Sequence, residues 1–203
     1  MHSSGYSYPL DPDPTRIRAA KIVIAGGFGV GKTTMVGAVS EIEPLTTEAV
    51  MTSAGTEHDD LSGVPDKTTT TVAMDFGRIT VGPDLILYLF GAPGQTRFWF
   101  MWDQLQRGAI GAVVLADVRR LPDSFASIDF FENRQVPYLV AVNCFDGAPI
   151  YPEADLREAL TVPPHVPVLL CDARDRESAK GVLISLVRHV IDLHRRGVPV
   201  GLS

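Results

Sequence analysis

The chain has 203 residues, 45% of them hydrophobic and 21% charged, with a net charge of −6, which suits one globular domain with a substantial core. The acidic balance, with no basic patch, excludes nucleic acid as the main partner, and the two cysteines, Cys144 and Cys171, exclude a disulfide framework. No apolar run reaches the roughly 18 residues of a membrane-spanning helix, so a soluble chain is expected, with no direct membrane insertion.

Met1–Thr15, rich in Ser, Tyr, Asp and Pro, reads as a flexible N-terminal arm ahead of a domain over 16–203. It lacks the apolar core of a signal peptide, and neither a glycine at position 2 nor a C-terminal prenylation cysteine is present, which fits a cytoplasmic chain. Lys21–Ala25 is a short β-branched run expected as a buried strand. Gly26-Gly27-Phe28-Gly29-Val30-Gly31-Lys32-Thr33 follows, a full match to G-x-x-x-x-G-K-[ST]. Glycines let the backbone wrap a phosphate closely, so N–H groups from Gly26 through Gly29, Val30, Gly31, Lys32, Thr33 and Thr34 are candidates to face the anion. The helix expected over Lys32–Glu41 adds the partial positive charge of its N-terminus. Lys32 is expected to reach the β- and γ-phosphates and the Thr33 hydroxyl to hold Mg²⁺.

From Glu41 to Lys67 the chain is irregular, broken by Pro44, Gly55, Gly63 and Pro65, with Glu48–Thr52 as a short strand. A loop of this length next to a phosphate loop is the place for a nucleotide-sensing switch. His58 beside Asp59-Asp60 is the one mixed cluster there and reads as solvated loop; no metal-ligand spacing links the five histidines. The threonine run Thr68–Thr71 opens an expected edge strand, Val72–Thr80, followed by a hydrophobic strand, Leu85–Phe90. Gly91-Ala92-Pro93-Gly94-Gln95 then leads into a helix expected over Phe98–Ile110, whose Phe98-Trp99-Phe100-Met101-Trp102 start is too aromatic to bury all round. Trp99 or Trp102 is therefore expected on a partner surface. Strands over Ala112–Asp117, Tyr138–Asn143 and Val168–Cys171 alternate with helices over Asp123–Asn133, Glu153–Leu160 and Glu177–Arg195. Continuous apolar strands separated by helices indicate an α/β, doubly wound, mostly parallel sheet with nucleotide at the carboxyl ends of its strands.

With these boxes in this order, the chain from about Ala19 to Arg195 resembles the Ras-like small GTPases, P-loop NTPases whose sheet has one antiparallel edge strand. It looks closest to the actinobacterial conservon-type GTP/ATP-binding proteins, relatives of the bacterial gliding-motility GTPases. Gly-Phe-Gly-Val-Gly-Lys-Thr-Thr, Asp-Lys-Thr-Thr-Thr-Thr-Val-Ala-Met-Asp-Phe-Gly, Phe-Gly-Ala-Pro-Gly-Gln and Val-Asn-Cys-Phe-Asp-Gly carry that resemblance. It implies that Gly94 senses the γ-phosphate and that two residues serve catalysis, Gln95 by orienting the attacking water and Lys32 at the phosphates. Gly91 stands where the family has its Mg²⁺-supporting aspartate. Asn143 would brace neighbouring loops, and Asp146 would accept from guanine N1 and N2. Cys144 replaces the lysine of that box. Ala173 would offer its N–H to guanine O6. Thr71, with Thr70 nearly equivalent, would bind Mg²⁺ and the γ-phosphate from the first switch.

The implied activity is a switch that binds GTP or GDP with Mg²⁺, hydrolyses GTP slowly and changes partners through two switch loops. A roadblock-domain regulatory protein and a sensor-kinase-like membrane protein are the implied partners, placing the chain in the cytoplasm, peripheral to a membrane only through them. Arg78, Arg97 and Arg107 are the candidates for an arginine acting in cis. A guanine-nucleotide sensor without hydrolysis, and an ATP-binding P-loop protein, stay open as alternatives.

Overall fold

The computed structural model describes residues 18–51 and 70–198. The expected N-terminal arm and most of the first switch, including Thr68 and Thr69, lie outside the described residues. The sheet has seven strands in the order β2-β3-β4-β1-β5-β6-β7. They run over Arg18–Gly26 (β1), Leu45–Met51 (β2), Thr70–Val81 (β3), Leu85–Gly91 (β4), Ala109–Ala116 (β5), Tyr138–Asn143 (β6) and Val168–Cys171 (β7). β4, β1, β5, β6 and β7 are mutually parallel, and β3 runs against both of its neighbours. The mostly parallel, doubly wound architecture is therefore present. Its one reversed strand lies a place in from the margin, because Leu45–Met51 pairs outside it in a strand longer than the sequence pattern suggested.

The apolar strands are continuous because both faces of the sheet are covered. In β1 the side chains alternate: Ile22 and Ile24 pack with Met35, Val36, Leu183 and Leu186, whereas Val23 and Ala25 pack with Trp102, Ile128 and Phe131. The first group comes from α1 (Lys32–Val39) and α5 (Arg176–Arg195), the second from α2 (Trp102–Gln106) and α3 (Pro122–Asn133). A shorter helix, α4 (Glu153–Ala159), adds Leu156 to the second face. α5 begins where the Asp175 carboxylate accepts from the Ser178 N–H at 2.7 Å, an N-cap that satisfies an otherwise orphaned donor. Among the described residues no helix is long and apolar enough to cross a membrane.

The region expected as one helix over Phe98–Ile110 is instead a 3₁₀ turn, Thr96–Met101, running into the five-residue α2. Gly108 takes a left-handed φ of 70°, which ends the helix, and Ala109 already pairs with Lys21 in the sheet. Trp102 is core rather than partner surface: it is 3% exposed, its ring lies 5.1 Å from Phe130 and 6.0 Å from Phe131, and its indole N–H donates to Pro93 O at 3.1 Å. The Trp99 side chain lies outside the described residues. Among the described side chains of this segment, Phe100 is the aromatic that faces outward, at 53% exposure. Trp102→Phe removes the indole donor and part of a buried ring. It is expected to lower unfolding free energy by about 2 kcal/mol, read from urea denaturation, with nucleotide binding kept.

Candidate functional site

The parallel strands β1, β4, β5 and β6 all deliver their carboxyl ends to one edge, and the chain turns there into the phosphate loop, the Gly91–Gln95 segment and the Asn143–Asp146 box. The phosphate loop is held by steric necessity. Gly26 has φ 132°, and a Cβ there would meet Leu115 O at 2.3 Å, so no side chain fits. Gly31 caps α1, and the turn closes with the Met35 N–H donating to Gly31 O at 2.8 Å.

Inside this loop Lys32 is 9% exposed, and its Nζ donates to Gly26 O at 3.0 Å and Gly27 O at 2.7 Å. Burial lowers its pKa from 10.5 to about 8, with nearby Asp75 partly opposing the shift. Gly94 presses on the same place from the other side. A Cβ at Gly94 would lie 2.7 Å from Lys32 Nζ and 2.9 Å from the Gly27 carbonyl. Lys32, Thr33, Thr34, Gly29, Gly31 and Gly94 line a cavity of about 370 Å³ together with Asp75, Phe28, Ala92 and Pro93.

Asp75 was not singled out as a ligand by sequence reasoning. In register it pairs with Gly91 across β3 and β4, and its Oδ2 accepts from the Thr33 hydroxyl at 2.6 Å. A Cβ on Gly91 would lie 3.0 Å from Asp75 Cβ and Oδ2. The carboxylate missing from β4 is thus supplied from the adjacent strand into the space that a side chain at position 91 would take. A hydroxyl and a carboxylate together are hard oxygen donors, matching Mg²⁺ rather than a soft metal.

Asn143 is 5% exposed and ties two loops together. Its Nδ2 donates to Val30 O at 3.0 Å, and its Oδ1 accepts from the Ala173 N–H at 3.0 Å. The Ala173 N–H, expected to face a base oxygen, is engaged by Asn143 in this arrangement. Asp146 is exposed, and both its oxygens accept from the Arg174 fork, at 2.7 and 2.9 Å. This hydrogen-bonded guanidinium holds the Asp146 carboxyl below the usual carboxylate range. Arg174 Nε and Nη2 donate also to Asp172.

Other expected residues fall apart from this cluster. Gln95 is exposed and lines a second cavity, of about 440 Å³, over Gly26–Phe28 and the start of α3; it does not line the one that holds Lys32 and Thr33. Thr71 and Thr70 begin β3, opposite Val50 and Met51, and their side chains lie outside the described residues, as does that of Arg97. Arg107 lies at the opposite end of the sheet, where its carbonyl accepts from Lys21 Nζ at 3.1 Å. Arg78 pairs with Tyr88, three residues down β3 from Asp75. Among the described residues, the arginine that reaches the phosphate loop is Arg120, whose Nη2 donates to Phe28 O at 3.0 Å.

Comparison with known proteins follows the same outline. Residues 24–193 match the family described as "Conserved hypothetical ATP binding protein". The uncharacterized protein MJ1339 of Methanocaldococcus jannaschii is 30% identical over 128 residues, covering 62% of this chain and 70% of that protein. Among solved structures, the cytosolic domain of the T. maritima FeoB iron transporter superposes with a TM-score of 0.60 in its apo form, at 16% identity over 85% of this chain. A GDP form of the same domain gives a TM-score of 0.60 at 18% identity over 86% of this chain. The chain spans 64% of the length of those domains. At such identity the likeness shows the fold alone, a mixed, mostly parallel Ras-like sheet.

Proposed function

The chain belongs to the family of conserved hypothetical ATP binding proteins, and on that premise we propose that it is a small GTP-binding signalling switch that hydrolyses GTP slowly with Mg²⁺. The observation that carries this reading is the Thr33 hydroxyl bonded to Asp75 beside the buried Lys32, under Gly94 and around one cavity. Thr33 and Asp75 would hold Mg²⁺, which when bound neutralises charge between the β- and γ-phosphates. Lys32 would bind the same phosphates, and Thr71 and Gly94 would hold the two switches while the γ-phosphate is present. Gln95, on the neighbouring cavity, would orient water once the second switch closes. The likeness to a domain solved in GDP forms supports guanine nucleotide as the ligand. Asp75 supports turnover over a sensor without hydrolysis, because it brings a carboxylate to the place where Gly91 offers none. Loss of single-turnover hydrolysis in Gln95→Leu would separate the two.

The narrower resemblance to conservon-type proteins supports a bacterial signalling role. A roadblock-domain regulatory protein and a sensor-kinase-like membrane protein would then be the partners. Residues 16–203 would form the domain, with 1–15 as an arm, in the cytoplasm and peripheral to the membrane through those partners.

Two observations favour ATP instead: the description of the family names ATP, and Arg174 occupies both oxygens of Asp146, the group that would read guanine. The deciding experiment is equilibrium displacement of fluorescent GDP by GTP, GDP and ATP in Mg²⁺. Guanine nucleotides are expected to compete at least about a hundredfold better than ATP, because an acceptor left unpaired by adenine is costly. Equal competition by ATP would overturn the guanine assignment.

Lys32 adds a pH signature. Its pKa of about 8 in the free site must rise when anionic phosphate binds. Below pH 8 the ammonium is already charged and affinity is flat. Above it, binding takes up a proton, so Kd is expected to rise toward about tenfold per pH unit. The free protein moves the other way. Its folded pKa lies below the unfolded value of 10.5, so burying the charge costs stability at low pH, and this cost is relieved between pH 8 and 10.5. Titrations of nucleotide affinity and of urea stability over that window check the two opposite slopes.

A further inference from the structure

Asp117 follows β5 with 2% of its surface exposed, and it gathers two arginines from the loop that begins α3. Arg119 forks onto it, with Nε 2.9 Å from Oδ1 and Nη2 2.8 Å from Oδ2, and the Arg119 N–H donates to Oδ1 at 2.9 Å. Arg120 Nη2 lies 3.8 Å from the same carboxylate, and its Nη1 lies 3.9 Å from Asp123. The forked bonds fix the direction of the Arg119 guanidinium, while Arg120 is drawn toward the same carboxylate by charge alone.

The two then reach different parts of the site. Arg119 lays its guanidinium 3.8 Å over the Phe145 ring, inside the Asn143–Asp146 box, a cation–π contact. Arg120 donates to Phe28 O at the crest of the phosphate loop. A peptide is planar and, here, trans, so fixing the Phe28 carbonyl toward Arg120 fixes the Gly29 N–H in the opposite direction. Gly29 lines the cavity that holds Lys32 and Thr33.

We propose that Arg120 is a positioning residue for the phosphate loop and Arg119 one for the base loop, Arg119 oriented by its forked bonds to Asp117 and Arg120 drawn beside the same carboxylate by charge. One buried carboxylate thereby sets the phosphate end of the nucleotide site against its base end. In a box where Cys144 brings no charge, the positive charge comes from the neighbouring loop. This inference rests on the nucleotide-site reading proposed above and adds to it the residues that hold the site's two ends in register.

The test measures affinities of GDP, GTP and ATP in Mg²⁺, with melting temperature in the absence of nucleotide, for the unmodified protein and for Arg120→Ala, Arg120→Lys and Arg119→Ala. Arg120→Ala is expected to weaken whichever nucleotides bind by one common factor, about tenfold, the size of a lost hydrogen bond from a charged donor. Arg120→Lys is expected to recover part of the loss, and melting temperature is expected to stay unchanged. Arg119→Ala is expected to alter the guanine-to-adenine ratio while leaving the triphosphate-to-diphosphate ratio as it was. If Arg120→Ala fails to fold, Arg120→Gln, which keeps a donor without the charge, decides by an intermediate affinity. Affinities equal to the unmodified protein in the Arg120 variants would overturn the inference, as would a loss that tracks melting temperature and is not rescued by lysine. Failure of the unmodified protein to bind any nucleotide would instead sink the functional reading beneath it.

Discussion

Asp75→Asn is expected to weaken Mg²⁺-dependent nucleotide binding by about 10- to 100-fold, the usual cost of removing a group that supports a metal site. The substitution keeps size and still offers an oxygen to the Thr33 hydroxyl, now 2.6 Å from Oδ2, so the loop contact survives and only the charge goes. The loss should therefore appear in Mg²⁺ and disappear in EDTA, a contrast that general damage to the fold would not give. A second consequence concerns Lys32. The Asp75 charge partly holds up its pKa against burial, so without that charge the alkaline weakening of binding should begin at a lower pH. Moving the acid provides the complementary test. Gly91→Asp alone should be harmful, since its Cβ would lie 3.0 Å from the Asp75 carboxylate and add a like charge. Combined with Asp75→Gly it returns one carboxylate to the same space and should regain much of the Mg²⁺ response. Equal affinity of Asp75→Asn and unmodified protein in both arms would show that this carboxylate does not serve the phosphate site.

That acid illustrates which parts of the site a sequence carries. Residues 26–33 and their flanks are readable because the chemistry is local: the loop, its lysine and its helix are contiguous, and the glycines are demanded by backbone geometry within one turn. Asn143 is nearly as legible, sitting at the end of a buried apolar strand that can end only at the site edge. Asp75 is different. Its neighbour Gly91 is sixteen positions away, and only the antiparallel register of β3 on β4 brings the two together. Met74-Asp75-Phe76 stands within a family-like phrase, yet the position at which the family carries its acid is 91, which holds none. Arg120 was missed for the same reason, since its partner Phe28 lies 92 residues back. The aromatic run after Gln95 was legible in part. Its composition points to an exposed surplus, which Phe100 supplies, and composition does not say which ring faces out; Trp102 belongs to the core and the Trp99 side chain lies outside the described residues.

Gly94→Ala is expected to abolish the preference for triphosphate while leaving diphosphate binding close to that of the unmodified protein. The reasoning begins with space. A methyl group at 94 would stand 2.7 Å from Lys32 Nζ and 2.9 Å from both the carbonyl carbon and oxygen of Gly27. Lysine can swing aside, but the Gly27 backbone belongs to a loop pinned by Gly26, where no side chain is tolerated, and it cannot retreat. Overpacking of this kind costs about 1–3 kcal/mol, which corresponds to roughly 5- to 150-fold against any arrangement that brings residue 94 onto the loop. A diphosphate engages the loop without calling on residue 94, whereas the closed second switch of the proposed cycle needs Gly94 against it. The penalty should thus fall on one nucleotide and spare the other. Measured as the ratio of GTP to GDP affinity, the effect should approach the full penalty, and hydrogen exchange across Gly91–Gln95 should no longer slow when GTP replaces GDP. An equal loss for both nucleotides would mean that residue 94 supports the loop itself rather than sensing the last phosphate, and the assignment of the second switch to this segment would fall.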